Sequence, residues 1–280
     1  MSNFTNEEIF KELEGRTLSG FLKELCLKND FDKFKYIFES DMLEEHFGIR
    51  KSEHLSDTLE EIERIILDSD LIKKCCEVDA VEILEYILAY CYGSNAFHLE
   101  DLQSQIDDAV SVCCRYGSLK SLDYILNSEK ITINGKIEGD YLFMYAFENN
   151  HLDVVEYLLN SPKAENIKNE SIKSGQLLKN ACAYGNLDAI KFVFNAPQLK
   201  DKIDIHVNKD DCFRILARQN KEEILNYFIF ELELNRTKYI DNYLKVNQRK
   251  DIDSMFEARD LQKELNNELK DNKSEKKPKI

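Results

Sequence analysis

The chain has 280 residues, of which 43% are hydrophobic and 32% charged, with nine glycines, three prolines and no tryptophan. Such a balance fits a helix-rich fold and disfavours a β-sandwich or barrel, which needs many more turn residues. A formal charge of -15, with 18 acidic against 9 basic side chains in residues 1–70, repels phosphate backbones and argues against general nucleic-acid binding.

Residues 1–17 read as a lead segment. MSNFTNEEIF has no basic stretch running into an apolar one, and no apolar run approaches the ~18 residues that span a bilayer, so a soluble, cytoplasmic protein is expected. Beyond the lead a ten-residue phrase recurs six times: NDFDKFKYIF from Asn29, DAVEILEYIL from Asp79, GSLKSLDYIL from Gly117, NHLDVVEYLL from Asn150, GNLDAIKFVF from Gly185 and NKEEILNYFI from Asn220. From the second copy onward the start points lie 33 to 38 residues apart. The first two are 50 apart, and residues 39–69 read as an insertion with an extra helix around Leu55–Leu67.

Seven residues before each phrase stands an apolar residue: Leu22, Ile72, Val110, Phe143, Leu178 and Phe213. Three and four before it come Leu25/Cys26, Cys75/Cys76, Cys113/Cys114, Ala146/Phe147, Ala181/Cys182 and Leu216/Ala217. That spacing predicts a short amphipathic helix. Each phrase opens on Gly, Asn or Asp, residues that adopt the left-handed conformation or cap a helix, and then runs into a second helix. A helix-turn-helix unit repeated at this period cannot bury its apolar face alone, so the copies must stack.

The connections KITINGKIEGD from Lys130 and KIDIHVNKDD from Lys202 alternate apolar and polar residues and read as extended, hairpin-like loops. After Ile229 the phrase stops. Residues 231–270 predict two further helices, with Ile252, Met255, Phe256, Leu261, Leu265 and Leu269 as an apolar stripe that closes the stack. Self-association through these helices is the other reading of the stripe. The last stretch, residues 271–280, is too polar to pack and is expected to be disordered.

Read as G-H-L-E-I-V-K-Y-L-L, with the small pair before it and the loop after it, the phrase resembles the ankyrin repeat. The resemblance covers residues 18–230 in about six degenerate copies. It is strongest at Asp108–Leu126, Tyr141–Leu159 and Gln176–Phe194. The family's T-P-L-H opening is replaced by Tyr141-Leu142-Phe143-Met144 and Gln176-Leu177-Leu178-Lys179. Arrays rich in Lys, Asn, Ile and Tyr resemble those of amoebal viruses, bacteriophages and intracellular bacteria. The resemblance implies an all-α, helix-turn-helix repeat solenoid with hairpin-like loops and a C-terminal helical cap.

Six of the eight cysteines fall on the small-residue positions, where two helices approach, and no C-x-x-C spacing occurs; a reducing compartment follows. Phosphate-binding, nucleophile-elbow and zinc-protease motifs are absent from the sequence, so no cofactor, no metal and no enzyme activity is expected. Cys114-Arg115-Tyr116-Gly117 lacks the Gln-Ala of a caspase-type site, and Cys114 reads as structural. The five histidines are scattered. His151 sits where the family commonly has a capping histidine, while His206 lies in a loop and is a weaker contact candidate. Glu60, Glu61 and Glu63 lack the glycine and alternating oxygens of a calcium loop and read as a solvated helix face.

The reading is therefore a non-enzymatic scaffold that binds a protein partner, acting on a host or defence protein. The alternative is an acidic decoy for a nucleic-acid-binding protein. Family contacts come from loop tips and first-helix positions, which here are Arg115, Tyr116, Glu148, Asn149, Ala183, Tyr184, Arg218 and Gln219. Lys136, Glu138, Lys173, Lys209 and Asp210 are loop candidates, and Lys179 and Arg214 lie on first helices. Tyrosine and arginine are favoured interface anchors, so Arg115, Tyr116, Tyr184 and Arg218 lead. A monomer without direct nucleic-acid or membrane contact is expected.

Overall fold

The computed structural model describes residues 4–40, 64–93, 99–129, 139–173 and 175–275, with the single positions 43, 62 and 131. Most of the insertion, including the start of its expected helix around Leu55–Leu67, and most of the loop from Lys130 lie outside them. The chain forms two compact units, Met1–Glu170 and Ser171–Ile280. No strand is present among the described residues.

The first unit contains α1 (Asn6–Leu13), α2 (Leu18–Lys28), α3 (Phe31–Glu39), α4 (Leu71–Glu77), α5 (Val81–Gly93), α6 (Leu99–Tyr116), α7 (Leu119–Asn127), α8 (Gly139–Glu148) and α9 (Leu152–Asn160). Helix α1 starts at a capping box, in which Thr5 accepts from the Glu8 amide and Glu8 accepts from the Thr5 amide. Lys33 pairs with Glu12 at 2.8 Å, and the Tyr36 hydroxyl donates to Asn6 at 2.8 Å, tying α1 to α3.

The remaining helices form two layers. First helices pack α2 on α4 on α6 on α8; second helices pack α3 on α5 on α7 on α9. Leu22, Ile72, Val110 and Phe143, the residues seven before each phrase, are all fully buried, as are Cys26, Cys75, Cys76, Cys113, Cys114 and Ala146. The small residues let neighbouring first helices approach closely, and the larger apolar residues fill the seam between layers.

One turn geometry makes the units repeat. The first phrase residue is left-handed at Asn29 (φ 51°), Asp79 (φ 56°), Gly117 (φ 75°) and Asn150 (φ 59°). The next amide then reaches the carbonyl five residues back: Asp30 to Leu25 at 2.9 Å, Ala80 to Cys75 at 2.9 Å, Ser118 to Cys113 at 3.0 Å and His151 to Ala146 at 2.8 Å. This closes the end of the first helix and satisfies carbonyls that have no intrahelical donor.

In the second unit the helices are α11 (Gln176–Tyr184), α12 (Leu187–Asn195), α13 (Val207–Arg218), α14 (Glu222–Asn226, continuing in a π-turn Tyr227–Glu231), α15 (Lys238–Val246) and α16 (Lys250–Glu275). The boundary in sequence falls within α10 (Glu165–Lys173), so Lys173, expected in a loop, ends a helix instead. First helices stack α11 on α13 on α15, while α12 packs on α14 and α16 packs against the π-turn and α15.

The C-terminal helices are a seventh copy of the same device. Gln248 is left-handed (φ 53°) and the Arg249 amide donates to Leu244 at 3.0 Å, as Asn220 (φ 53°) and Lys221 to Leu216 at 3.1 Å do one repeat earlier. Ile252 and Phe256 are buried behind it. The expected pair of closing helices is present, and α16 runs on to Glu275, past the boundary read at residue 270. Residues 271–275, expected to be disordered, are helical because a packed helix adds further turns without a new nucleus. Residues 276–280 lie outside the described set.

Two positions depart from the pattern. Gly185 is extended (φ -74°, ψ 178°), and the reason for glycine there is space: a Cβ would lie 2.6 Å from the Ala181 carbonyl oxygen and 2.7 Å from Ala189 Cβ. The connection from Lys202 is built of turns without strand pairing, and Asn208, Lys209 and Asp210 all have positive φ (51°, 62° and 63°).

Candidate protein-binding surface

At four of the turns the residue directly after the left-handed one reaches back to the repeat before it, whereas Asp30 and Asn186 at the same position cap their own second helices. The Ser118 hydroxyl donates to the Cys76 carbonyl at the end of α4. His151 packs its ring against the preceding turn, where a Cβ on Gly117 would lie 2.5 Å from His151 Nδ1. Lys221 donates to the carbonyls of Cys182 (3.0 Å), Ala183 (3.1 Å) and Gly185 (2.8 Å) at the end of α11. Arg249 Nη1 donates to the Ala217 carbonyl at the end of α13. A cation at a helix C-terminus is favoured by the helix dipole. His151, expected to cap, makes no side-chain cap hydrogen bond, because its ring is used as packing on Gly117.

These tethers fix the turns and leave the outer sides of the first helices for other contacts. In the first unit Arg115 ends α6 with its guanidinium 4.2 Å from the centre of the Tyr145 ring on α8. Tyr145 stacks on Tyr141, with centres 6.5 Å apart and planes 29° from parallel. Tyr116 and Tyr141 are half exposed, at 51% and 50%. Glu148 and Asn149 are exposed at the end of α8, and the Asn149 amide side chain donates to the Tyr145 carbonyl at 2.9 Å. Arg115, Tyr116, Glu148 and Asn149 thus come from two adjacent first helices around one aromatic stack.

In the second unit Tyr184 is 46% exposed and Arg218 and Gln219 are exposed at the end of α13. Lys179 on α11 and Arg214 on α13 share Asp211, which is 3.4 Å from Lys179 and in direct contact with Arg214. Both are engaged within the protein. Asp210 does not belong to a loop contact surface: it is 1% exposed, with His206 Nδ1 at 2.5 Å and the Thr237 hydroxyl donating to its other oxygen. The carboxylate is held inward because Asn208 to Asp210 fold back left-handed before α13 proceeds. Lys209 sits 5.8 Å from the Tyr239 ring centre. Lys136 and Glu138 lie outside the described residues.

Reactive chemistry is disfavoured at the cysteines. All eight are buried and outside any disulfide, and burial pushes the thiols of Cys75, Cys113, Cys114 and Cys182 well up, so the nucleophilic thiolate is scarce. Among the described residues no group of three His, Cys, Asp or Glu side chains is placed to hold a metal, and no helix is long and apolar enough to cross a membrane. Sequence reasoning missed Tyr141 and Tyr145. Their i, i+4 spacing, with Arg115 at the end of the preceding first helix, was the available signal.

Stacked helix pairs with one repeated turn define a helical repeat solenoid. Residues 110–211 match the family model for ankyrin repeats in three copies, so this stretch of the chain carries ankyrin repeats. No curated protein and no solved structure matches it.

Proposed function

We propose that this protein is a non-enzymatic scaffold that binds a protein partner through its first-helix faces and repeat loops. The observation that carries the reading is the group of exposed Arg115, Tyr116 and Tyr141 around the partly covered Tyr145, aromatic and arginine-bearing as interface anchors are, on helices whose buried sides are committed to stacking. Arg115, Tyr116, Glu148 and Asn149 form the contact set of the first unit; Tyr184, Arg218 and Gln219, with Lys173, Lys179 and Arg214, that of the second. Eight buried cysteines outside any disulfide support action in the reducing cytoplasm of the source cell or of an infected host. Residues 18–230 supply the repeat surface and the C-terminal helices close it, as a monomer.

Affinity capture from such a lysate tests the reading, comparing wild type with a variant carrying alanine at Arg115, Tyr116, Tyr184 and Arg218 and an unchanged circular dichroism spectrum. A partner held by wild type and lost by the variant is expected. Equal retention by both would move the contact elsewhere and sink the assignment of these residues. A second reading, an acidic decoy of a nucleic-acid-binding protein, is favoured by the charge of -15. It requires that partner binding weaken steeply with salt and that nucleic acid compete.

A further inference from the structure

We infer that the partner segment seated on the first unit presents arginine, and that Tyr141 is the ring on which its guanidinium stacks. This rests on the scaffold reading and specifies the chemistry of the partner.

The stack has a direction. Arg115 covers Tyr145 at 4.2 Å, Tyr145 lies against Tyr141 at 6.5 Å, and Tyr141 ends the series half exposed. A planar cation over Tyr141 would continue the series of cation and rings. Ring faces carry negative quadrupole density, and guanidinium stacks on them better than ammonium because it is planar and weakly hydrated. The resident Arg115 charge does not forbid this. In a continued series a second guanidinium on Tyr141 would be separated from Arg115 by one ring spacing of 6.5 Å and a cation-to-ring distance at either end, farther than the ~8 Å screening length of physiological salt.

The charges around the stack have the complementary sign. Position nine before the turn residue holds Asp70 in α4's repeat, Asp108 in α6's repeat and Tyr141 in α8's, so helix stacking sets these rows side by side. Asp70 and Asp108 are both more than half exposed, and they share one ammonium, Lys73, at 3.4 Å and 2.8 Å. Two carboxylates against one cation leave negative charge beside the ring. Asp101, two helical turns before Asp108 on the same face of α6, is exposed, and so is Glu148, three residues after Tyr145. Lys74 is neutralised by Glu77 at 2.6 Å. An acidic face ending in an open tyrosine ring fits a chain segment with arginines spaced along it and repels acidic segments.

The test uses the full chain and three fluorescein-labelled dodecapeptides: alternating Gly-Arg, alternating Gly-Lys and alternating Gly-Glu, followed by anisotropy at low and at physiological salt. The Arg peptide should bind, the Lys peptide at least about fivefold more weakly, and the Glu peptide not at all. Tyr141→Ala should weaken the Arg peptide about tenfold, while Tyr141→Phe, which keeps the ring, should stay within about twofold of wild type. Equal binding of the Arg and Lys peptides, or a Tyr141→Ala variant that binds the Arg peptide like wild type, would overturn the inference. Circular dichroism of each variant excludes loss of fold as the cause. Failure of all peptides, alongside a lysate partner lost on mutating the first-helix residues, would sink the arginine inference and leave the scaffold reading standing.

Discussion

Lys221→Met should destabilise the second unit by about 1–2 kcal/mol, a value set by two opposing effects. In favour of Lys221, its ammonium donates to three carbonyls at 2.8 to 3.1 Å where α11 has no further donors. Taken singly, hydrogen bonds to a charged group contribute about 1.5–3 kcal/mol each, so three would sum to well over 4. Against this, burial pulls the Lys221 ammonium below the usual lysine range, which means that desolvation outweighs what the surroundings return to the charge. The simple sum therefore overestimates. What methionine leaves behind is a similar stem and three half-buried carbonyls short of a donor, and water reaches some of them. Urea unfolding followed by circular dichroism should show the midpoint falling by roughly 0.5–1 M, with m unchanged. Lys245→Met, at an exposed lysine on α15, should change stability by less than about 0.5 kcal/mol. Because the folded value is lowered, the native state releases this proton first, so the unfolded state binds more protons and wild-type stability gains from this group as pH rises toward 10.5. Lys221→Met lacks that gain. A variant within 0.5 kcal/mol of wild type at neutral pH would refute the tether as a stabilising device.

Gly117→Ala should cost about 2 kcal/mol, from a left-handed alanine and from a Cβ 2.5 Å from His151, and adding His151→Ala should recover the steric part but not the backbone part; a double-mutant cycle by urea unfolding measures the coupling. Native protein should withhold its thiols from a water-soluble disulfide reagent, and all eight should react in step with unfolding in urea; fast labelling of any one in the native state would contradict their burial. Arg249 holds the Asp251 carboxyl below its usual value, so the stability gained from that pair is present above about pH 4 and lost as pH falls through the lowered folded value. The midpoint gap between wild type and Arg249→Gln should accordingly narrow in acid, yet not close, since the bond to the Ala217 carbonyl does not titrate with Asp251. Replacing Leu261, Leu265 and Leu269, each about 60% exposed, with glutamine should leave the urea midpoint within about 0.5 kcal/mol of wild type, and a larger loss would show that the stripe is covered.

The two-layer stack was legible because its constraints are local and periodic. A buried residue seven before each turn, a small pair three and four before it, and a left-handed residue at the turn each restrict the sequence at one fixed offset. Leu22, Ile72, Val110, Phe143, Leu178 and Phe213 are all in the core. The seventh pair was not legible as a repeat because its geometry is kept with different letters. Gln248 takes a left-handed turn without being Gly, Asn or Asp, and of the first-helix offsets only Leu244 stays apolar, with Asp241 and Lys245 seven and three before the turn, while Ile252 and Phe256 keep the second-helix positions. Helix α10 was missed because ENIKNESIK has no strong apolar period. At the surface, residue type pointed to Arg115 and Tyr116, but the choice of Tyr145 as the partner of Arg115 depends on how α6 lies against α8. Asp210 was misplaced for the opposite reason: a charged residue in a polar loop reads as exposed until the backbone turns it inward toward His206 and Thr237.

The tethers at position two all run one way. Ser118, Lys221 and Arg249 each complete the helix end of the repeat made before their own, and none completes the repeat that follows. On a ribosome, a repeat tethered in this way therefore leaves the exit tunnel with some of its helix-end carbonyls still open, although its own turn amide has closed one, and becomes finished only when the turn of its successor has emerged. Assembly at these three joints is in this sense vectorial, the earlier repeat waiting on the later one.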